Sequence, residues 1–417
     1  MVSCYGNIQL LKDRGLSMTT YNFDKITNRK GTNCLKYDFA VERGKPADVL
    51  PLWVADMDFP VSEEITKSLH AAVEHGIYGY TQPKDAYYNA VMNWMERNHN
   101  WKTEREWIVK TPGVVFALGA AVKAFTDPGD AILIQNPVYY PFTNIIRDND
   151  RRVVDNTLIY EKTAGQSGDN GYRIDFEDFE RKLEQEHIKL FILCNPHNPV
   201  GRVWTAEELQ QLGEICLRHH VIVVSDEIHN DFVYPGYEHT VFATVDPRFA
   251  EFTVTCTAPS KTFNLAGLQI SNIFIPNEKL RKAFQTEIDK TGYDEPNALG
   301  IVACEAAYRA GEDWLDQLRA YLLKNLNFLR NFLQEKIPQI HLVEPEGTYL
   351  VWLDCSELGI TGKELDQFIV DKAGLWLDGG SMFGPSGAAF QRVNIACPQA
   401  TLELALNKLK AAVDNLK

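Results

Sequence analysis

Four short apolar runs constrain the fold of this chain more than any other feature. They read AILIQ at 131–135, LFILC at 190–194, VIVVS at 221–225 and TVTC at 253–256. Strands that are apolar on both faces are typical of a parallel sheet covered by helices on both sides. Helical patterns lie before and between the runs, at 113–125, 176–186 and 205–220. The sequence therefore predicts an α/β fold with a mainly parallel sheet flanked by helices.

The pattern changes beyond about residue 300. A long helical stretch at 313–336 precedes the strand patterns TYLVWLD and RVNIAC, and a closing helix is expected near 400–416. A chain of 417 residues also exceeds what a single core usually holds. We therefore expect a large domain and a smaller α+β domain built from the N- and C-terminal segments. The predicted boundaries are an extension at 1–21, the first part of the small domain at 22–75, the large domain at 76–300 and the rest of the small domain at 301–417.

Charge and cysteine usage limit the classes of partner and compartment. The net charge of −14 argues against nucleic acid or an anionic membrane as the main partner, because both require basic patches. The eight cysteines show no C-x-x-C spacing, and most stand in apolar runs, as reduced buried cysteines do. The start of the chain has no long apolar region, and no run approaches the roughly 18 to 20 residues that span a bilayer. We expect a cytoplasmic protein whose native start could be Met18, with no metal site.

Polar and aromatic side chains follow the four apolar runs. Tyr139 follows the first run in NPVYY, and Asn198 follows the second in NPHNPVG. Asp226 opens DEIH after the third run, and Lys261 ends TAPSK after the fourth. Because the carboxyl ends of parallel strands meet at one edge of the sheet, these four side chains are expected to lie together.

These groups are the ones that pyridoxal 5'-phosphate requires. Its aldehyde forms a Schiff base with an amine such as that of Lys261, and a buried carboxylate such as Asp226 keeps its pyridine nitrogen protonated. Asn198 can donate to the phenolic oxygen, and Tyr139 can stack on the ring. The phosphate needs N–H groups at a helix start and a nearby hydroxyl, for which the chain offers Gly113, Val114, Val115 and Ser260.

Six segments carry a resemblance to a known family. NPHNPVG, SDEIH and SKTFNLAGL resemble the signature of fold-type I pyridoxal-phosphate enzymes, the aspartate aminotransferase superfamily. LPLWVADMDFP (50–60), YGYTQP (78–83) and FGPSGAAFQRVNIACP (383–398) are similar to the cystathionine β-lyase branch, with its MalY and PatB type C–S lyases. The resemblance covers residues 22 to 415. It implies a seven-stranded sheet in the large domain and pyridoxal phosphate as the cofactor.

The resemblance also implies roles for individual residues. Lys261 would bond to the cofactor and move protons at the substrate Cα, with Asp226, Asn198 and Tyr139 as already described; the adjacent Tyr140 is an alternative for the stacking ring. Arg392 would bind the substrate α-carboxylate in bidentate fashion. Tyr80 would bind the phosphate of the neighbouring subunit, which implies a homodimer. The segment that borders the substrate would contain Trp53, Ala55 and Asp56.

Two positions depart from the aspartate aminotransferases, and both favour the C–S lyase branch. Gln269 replaces an arginine that holds the phosphate, and His229 replaces a tyrosine. The implied reaction is β-elimination from a sulfur-containing amino acid, giving a thiol, pyruvate and ammonia. Two alternatives stay open at this point. One is an aminotransferase of the same fold, and the other is a regulatory protein that contacts a transcription activator.

Overall fold

The structure is a computed structural model that describes residues 19–162 and 170–416. The predicted start at Met18 and most of the predicted extension lie outside the described residues. The α-helices are α1 (Leu35–Asp38), α2 (Glu63–His75), α3 (Asp85–His99), α4 (Val114–Phe125), α5 (Pro141–Asp148), α6 (Phe176–Gln185), α7 (Ala206–Arg218), α8 (Phe242–Val245), α9 (Pro259–Thr262), α10 (Glu278–Asp289), α11 (Ala298–Ala310), α12 (Glu312–Lys336), α13 (Gly362–Asp371) and α14 (Gln399–Asp414).

The strands of the described chain are short. They are β1 (Leu50–Pro51), β2 (Ile108–Thr111), β3 (Ala131–Ile134), β4 (Arg152–Asp155), β5 (Ile159–Tyr160), β6 (Tyr172–Arg173), β7 (Leu190–Cys194), β8 (Ile222–Asp226), β9 (Thr253–Thr257), β10 (Ser271–Phe274), β11 (His341–Leu342), β12 (Leu350–Asp354), β13 (Leu375–Trp376), β14 (Asp378–Gly379) and β15 (Phe390–Asn394).

The main sheet has seven strands in the described chain, in the order β2-β10-β9-β8-β7-β3-β4. Strands β9, β8, β7, β3 and β4 pair in parallel, and only β10 runs antiparallel to its two neighbours. The predicted mainly parallel, seven-stranded α/β sheet is confirmed.

The alternating residues of the central strands pack into two different cores. Leu133 and Phe191 belong to the core on one side of the sheet, while Ile134 and Ile192 belong to the core on the other side. All four side chains are essentially inaccessible to solvent. Full burial of such a side chain contributes about 1.5 to 3 kcal/mol, so both faces of the sheet stabilise the fold. This two-sided burial explains why the runs lack an alternating pattern.

The strand register brings the ends of β7, β8 and β9 level. Cys194 lies beside Asp226, which in turn lies beside Cys256. The Asn195 N–H donates to the carbonyl of Asp226 at 3.0 Å, and the Glu227 N–H donates to that of Cys256 at 2.9 Å. The loops that follow the three strands therefore leave the sheet side by side.

A second sheet, β11-β12-β15-β14, is antiparallel and uses the C-terminal part of the chain. Its register aligns Arg392 of β15 with Trp352 on one side and Asp378 on the other. The N-terminal segment joins this region, because β1 pairs in parallel with β13. These pairings are compatible with a small domain made of both ends of the chain, and the boundaries at residues 75 and 300 stay predictions.

No helix within 19–162 or 170–416 has the length and apolar character needed to cross a membrane. In the same part of the chain, no group of three or more His, Cys, Asp or Glu side chains could hold a metal ion.

Candidate active site

Lys261 lies in the short helix α9, directly after the central strand β9. Its Nζ donates a hydrogen bond to the carbonyl oxygen of Ala55 at 3.0 Å. Burial, followed by the positive charge of Arg392, lowers the pKa of the Lys261 amine to about 8, although Asp56 and Asp226 oppose the change. The amine is therefore partly neutral near neutral pH, as a nucleophile or base must be.

Asp226 ends strand β8 and is only 4% exposed. One carboxylate oxygen accepts a hydrogen bond from the Ile228 N–H at 3.2 Å. Burial raises the pKa of the Asp226 carboxyl to about 7, and that hydrogen bond and the Lys261 charge limit the rise. The carboxyl forms no ion pair with any described residue. Such a site favours a ligand that brings its own proton or positive charge.

Arg392 is almost fully buried and joins three parts of the site. Its Nη1 donates to the side-chain oxygen of Asn198 at 2.9 Å, and its Nη2 donates to the Trp53 carbonyl at 3.0 Å. The same Nη2 forms an ion pair with Asp378, and the guanidinium carbon lies 4.9 Å from the ring centroid of Phe383. Nε has no partner within the described chain, so one buried donor stays available for a ligand.

The contact with Arg392 also orients the amide of Asn198. Because the amide oxygen accepts from the guanidinium, the amide nitrogen is left as a donor. Asn198 is 4% exposed and lies in the loop that follows β7, next to the loop of Asp226. This orientation agrees with the predicted contact to a phenolic oxygen, and the role itself stays a prediction.

Tyr139 and Tyr140 differ in their surroundings. Burial is the main cause that raises the pKa of both hydroxyls. The charges of Arg392, Asp226 and Asp378 also influence the pKa of Tyr139, whereas Asp378, Arg392 and Arg43 influence that of Tyr140. The Asp226 charge thus influences the pKa of Tyr139 and not that of Tyr140, which favours Tyr139 as the ring that stacks.

The predicted phosphate-binding groups lie at the start of a helix. Helix α4 begins at Val114, and Gly113 is its N-terminal capping residue. The first N–H groups of any α-helix lack intrahelical partners and attract anions. Val115 is 44% exposed in this first turn, and Ser260 is half-buried immediately before Lys261. The contact of these residues with a phosphate stays a prediction.

The segment that contains Trp53, Ala55 and Asp56 is held in place from several sides. Asn394 donates to the carbonyls of Val54 and Asp56 at 2.6 and 2.7 Å. Tyr349 donates to the Ala55 carbonyl at 3.0 Å, so this oxygen is shared by Tyr349 and Lys261. The backbone facing the amine is therefore fixed before any substrate arrives.

A buried ionic network anchors the same segment from behind. Asp58 accepts from Arg29 at 2.8 Å and from Lys36 at 3.0 Å, and the Lys36 side chain is fully buried. Arg29 also bonds to both carboxylate oxygens of Asp56. Two carboxylates and two cations compensate one another, which makes burial of Lys36 tolerable.

Three predicted positions behave differently from the rest. Tyr80 is 95% exposed and contacts no part of this site within the chain. Gln269, which stands where the aspartate aminotransferases carry a phosphate-holding arginine, is also exposed and has φ of 51°. His229 is buried, and burial together with Lys261 and Arg392 lowers the pKa of its imidazole far below the usual value. His229 is therefore neutral and packs edge-on against Tyr349 at 5.9 Å.

Sequence reasoning missed Asp378, Tyr349, Asn394 and Asn264. Asn264 donates to the carbonyls of Met57 and Phe59, both at 3.0 Å, and has φ of 57°, a conformation that asparagine tolerates. Its place in SKTFNLAGL was a usable signal. Asp378 could not be paired with Arg392 from the sequence, because the contact depends on the β14–β15 register.

The observed groups fit pyridoxal phosphate. An amine with a lowered pKa, a buried carboxyl with a raised pKa and an oriented amide donor surround the ends of β7, β8 and β9. The unpartnered Nε of Arg392 adds a buried donor for a carboxylate. Among the described residues the Asp226 carboxyl has no ion-pair partner, and the one cation that influences its pKa is the Lys261 amine, so a protonated ring nitrogen would supply the missing positive charge.

Comparisons with known proteins agree with this geometry. The family model for aminotransferase class I and II matches residues 47–409. Cystathionine beta-lyase PatB of Bacillus subtilis (strain 168) is 46% identical over 392 residues, covering 94% of this chain and all of PatB. Protein MalY of Escherichia coli (strain K12) is 31% identical, covering 92% of this chain and 96% of MalY.

The fold of this chain also resembles that of a solved structure. Cystalysin from Treponema denticola, whose crystal structure contains a pyridoxal 5'-phosphate cofactor, superposes with a TM-score of 0.91 at 38% identity. The match covers 96% of this chain and all of the cystalysin chain. The chain belongs to the aminotransferase class I and II family, on the branch that contains PatB and MalY.

Proposed function

We propose that this protein catalyses pyridoxal-phosphate-dependent β-elimination from sulfur-containing amino acids. The Cα–H and Cβ–S bonds break, and one water molecule is consumed as the products become a thiol, pyruvate and ammonia. The names of PatB and of cystathionine beta-lyase from Corynebacterium glutamicum, which is 32% identical, support this reaction class.

One observation carries the proposal. Lys261 donates to the carbonyl of Ala55, and Arg392 donates to the carbonyl of Trp53 two residues earlier. The amine and the guanidinium therefore converge on the same short backbone segment. A substrate whose carboxylate binds Arg392 would then hold its Cα near the Lys261 amine, as proton transfer requires.

The residues divide the chemical work as follows. When bound, pyridoxal phosphate supplies an electron sink for negative charge at the substrate Cα. Asp226 would hold the proton on the ring nitrogen, Asn198 would donate to the phenolic oxygen and Tyr139 would cover the ring. Lys261 would hold the cofactor and, once freed by the substrate, accept the Cα proton. Its lowered pKa supplies the neutral amine that this step needs.

Arg392 would bind the substrate carboxylate with its guanidinium group, which Asp378 and Asn198 hold in one orientation. Both neighbours restrict the guanidinium, so little side-chain freedom remains to be lost on binding. The fixed backbone of residues 53–56 would form the wall beside the substrate.

The homodimer is part of this proposal. Ile77, Tyr78 and Tyr80 are 71%, 60% and 95% exposed in the single chain, an unusual density of exposed apolar side chains. A second copy that covers this stretch would bring Tyr80 to the phosphate of its partner. We also propose the cytoplasm as the location, in keeping with the free cysteines of the described chain.

Pyruvate release tests the reaction. Purified protein loaded with pyridoxal phosphate is incubated with L-cystathionine without any keto acid, and pyruvate is followed with lactate dehydrogenase. Continuous release that Lys261→Ala abolishes supports β-elimination. Amino-group transfer to an added keto acid without pyruvate release would instead identify an aminotransferase and overturn the proposal.

A further inference from the structure

Arg43 lies at the edge of the active site and has no task in the reaction as described above. It is exposed, in a turn that follows α1, where its N–H bonds to the carbonyls of Phe39 and Ala40. Its guanidinium carbon lies 5.2 Å from the ring centroid of Trp53. No carboxylate of the described chain forms an ion pair with it. The turn thus presents an uncompensated positive charge beside a residue of the site.

Trp53 connects this charge to the buried one. The Trp53 carbonyl accepts a hydrogen bond from Arg392 Nη2 at 3.0 Å. The Trp53 indole ring makes the cation–π contact with Arg43. The indole is fixed by stacking on Trp376, with centroids 4.4 Å apart and planes at 14°. Trp376 is held in turn by the pairing of β13 with β1. Two guanidinium groups therefore flank one immobilised residue, one buried and one facing solvent.

Packing on both sides of the turn holds the backbone of Arg43 in place. Ala40 and Val49 are buried in a small apolar cluster with Trp376, and Trp53 packs against that cluster. The hydroxyl of the half-buried Tyr140 is influenced by both guanidinium groups. After burial and Asp378, both Arg392 and Arg43 influence its pKa, and both act to lower it. Arg43 and Arg392 are therefore joined through Trp53, and both charges act on the Tyr140 hydroxyl.

Arg392 and Arg43 differ in whether an ion-pair partner compensates their charge. Asp378 is in contact with Arg392, so the buried cation has an internal partner. Arg43 has none among the described residues, and an anion near it would gain a favourable interaction. In the proposed β-elimination, the substrate carboxylate would occupy Arg392, and Arg43, beside Trp53, would be free to contact the far end of the leaving thiol.

We propose that Arg43 binds a carboxylate on the departing thiol, so that preferred substrates are cysteine thioethers whose leaving group carries a carboxylate. This inference rests on the β-elimination proposed above. Cystathionine has such a leaving group, because its second amino-acid end carries a carboxylate. S-ethyl-L-cysteine contains the same reacting bonds and lacks that charge. Arg43 is a specificity-determining residue that touches neither Cα nor the breaking bond.

A comparison of the two substrates tests this assignment. The ratio of kcat/KM for L-cystathionine to kcat/KM for S-ethyl-L-cysteine is measured in the wild type and in Arg43→Met. We expect the ratio to fall about fivefold in the variant, the size typical of a solvent-exposed charge pair. Arg43→Lys, which keeps the charge, should restore most of the ratio. Added salt should lower the ratio in the wild type more than in Arg43→Met.

The control is Arg309→Met, which removes an exposed arginine paired with Glu305 on α11. It should leave the ratio unchanged. An unchanged ratio in Arg43→Met, or an equal loss with both substrates, would overturn the role of Arg43 and leave the proposed function intact. If the wild type released pyruvate from neither substrate, the proposed function and this inference would both fall.

Discussion

The side-chain oxygen of Asn198 accepts a hydrogen bond from Nη1 of Arg392 at 2.9 Å, across 194 residues of sequence. Asn198 follows the central parallel sheet, whereas Arg392 belongs to the antiparallel sheet near the C-terminus. The contact therefore joins the predicted cofactor-binding Asn198 to the predicted substrate-binding Arg392. A movement of one sheet against the other would therefore change the positions of Asn198 and Arg392 relative to each other.

Arg392→Lys should reduce kcat/KM about 100-fold, mainly through a higher KM. An ammonium cannot contact Asn198, the Trp53 carbonyl and a substrate carboxylate in the same fixed geometry, and loss of one partner in a buried charged pair costs about 2 to 3 kcal/mol. Steady-state kinetics on L-cystathionine measures the change, with the thermal midpoint as a control for folding. A change of less than about threefold would show that Arg392 does not bind the carboxylate.

Asp226→Asn should alter how the stability of the cofactor-free protein depends on pH. The folded-state pKa of Asp226 is raised to about 7, so between about pH 4 and 7 the folded state binds the proton more tightly than the unfolded state. The Asp226 contribution therefore decreases as pH rises through this window. Asn cannot ionise, so the variant should gain on the order of 2 kcal/mol relative to the wild type between pH 5 and pH 8.

Urea unfolding at pH 5 and pH 8 measures that difference. The same variant should bind pyridoxal phosphate more weakly, because it cannot hold the ring proton. A constant stability difference at both pH values would contradict the protonation of Asp226 in the folded protein.

Asp231→Asn should destabilise the protein by about 2 to 4 kcal/mol at pH 7. The buried carboxylate accepts from Trp94 at 3.2 Å, from His99 at 3.0 Å and from Thr262, the neighbour of Lys261, at 2.6 Å. Although burial opposes it, the bond from His99 lowers the pKa of Asp231. Its stabilising effect is therefore present above the unfolded value near 4 and is lost as the pH falls through the lowered folded value.

Chemical denaturation at pH 7 and near pH 3 measures this effect. Asp316→Asn is the matched control, since its side chain is 55% exposed and pairs only at the surface. Equal, small losses in both variants would show that the network of Asp231 does not support the helix of Lys261.

Tyr80→Phe should weaken retention of pyridoxal phosphate without changing the oligomeric state. The hydroxyl is the predicted phosphate contact across the dimer, while the ring keeps the apolar surface that a partner would cover. Equilibrium dialysis should show an affinity weaker by about 10- to 100-fold, as expected for one lost hydrogen bond to a charged group. Light scattering should still report a dimer. An unchanged affinity would remove Tyr80 from the phosphate site, and a monomeric wild type would contradict the shared site altogether.

The sequence was sufficient to predict the sheet and the residues at its edge. Continuous apolar runs identify β3, β7, β8 and β9, and the capping box of Thr205 and Glu208 marks the start of α7 as observed. The strand direction then places Asn198, Asp226 and Lys261 together without further information.

Contacts between distant segments could not be predicted in the same way. The pairing of Arg392 with Asp378 depends on a β14–β15 register, and the bond from Lys261 to Ala55 depends on how the N-terminal segment folds back onto the sheet. The burial of Lys36 follows from its pairing with Asp58, whereas an isolated lysine in the sequence predicts an exposed side chain. Tyr80 cannot be assigned within one chain, because its predicted ligand belongs to a second copy.

Borohydride reduction tests the central claim most directly. The protein is loaded with pyridoxal phosphate, its visible absorption is recorded, and it is then reduced, digested and analysed by mass spectrometry. We expect a yellow protein whose colour is lost on reduction, with the reduced cofactor attached to the peptide that contains Lys261. A reduced cofactor on a different lysine, or no covalent adduct at all, would contradict the account.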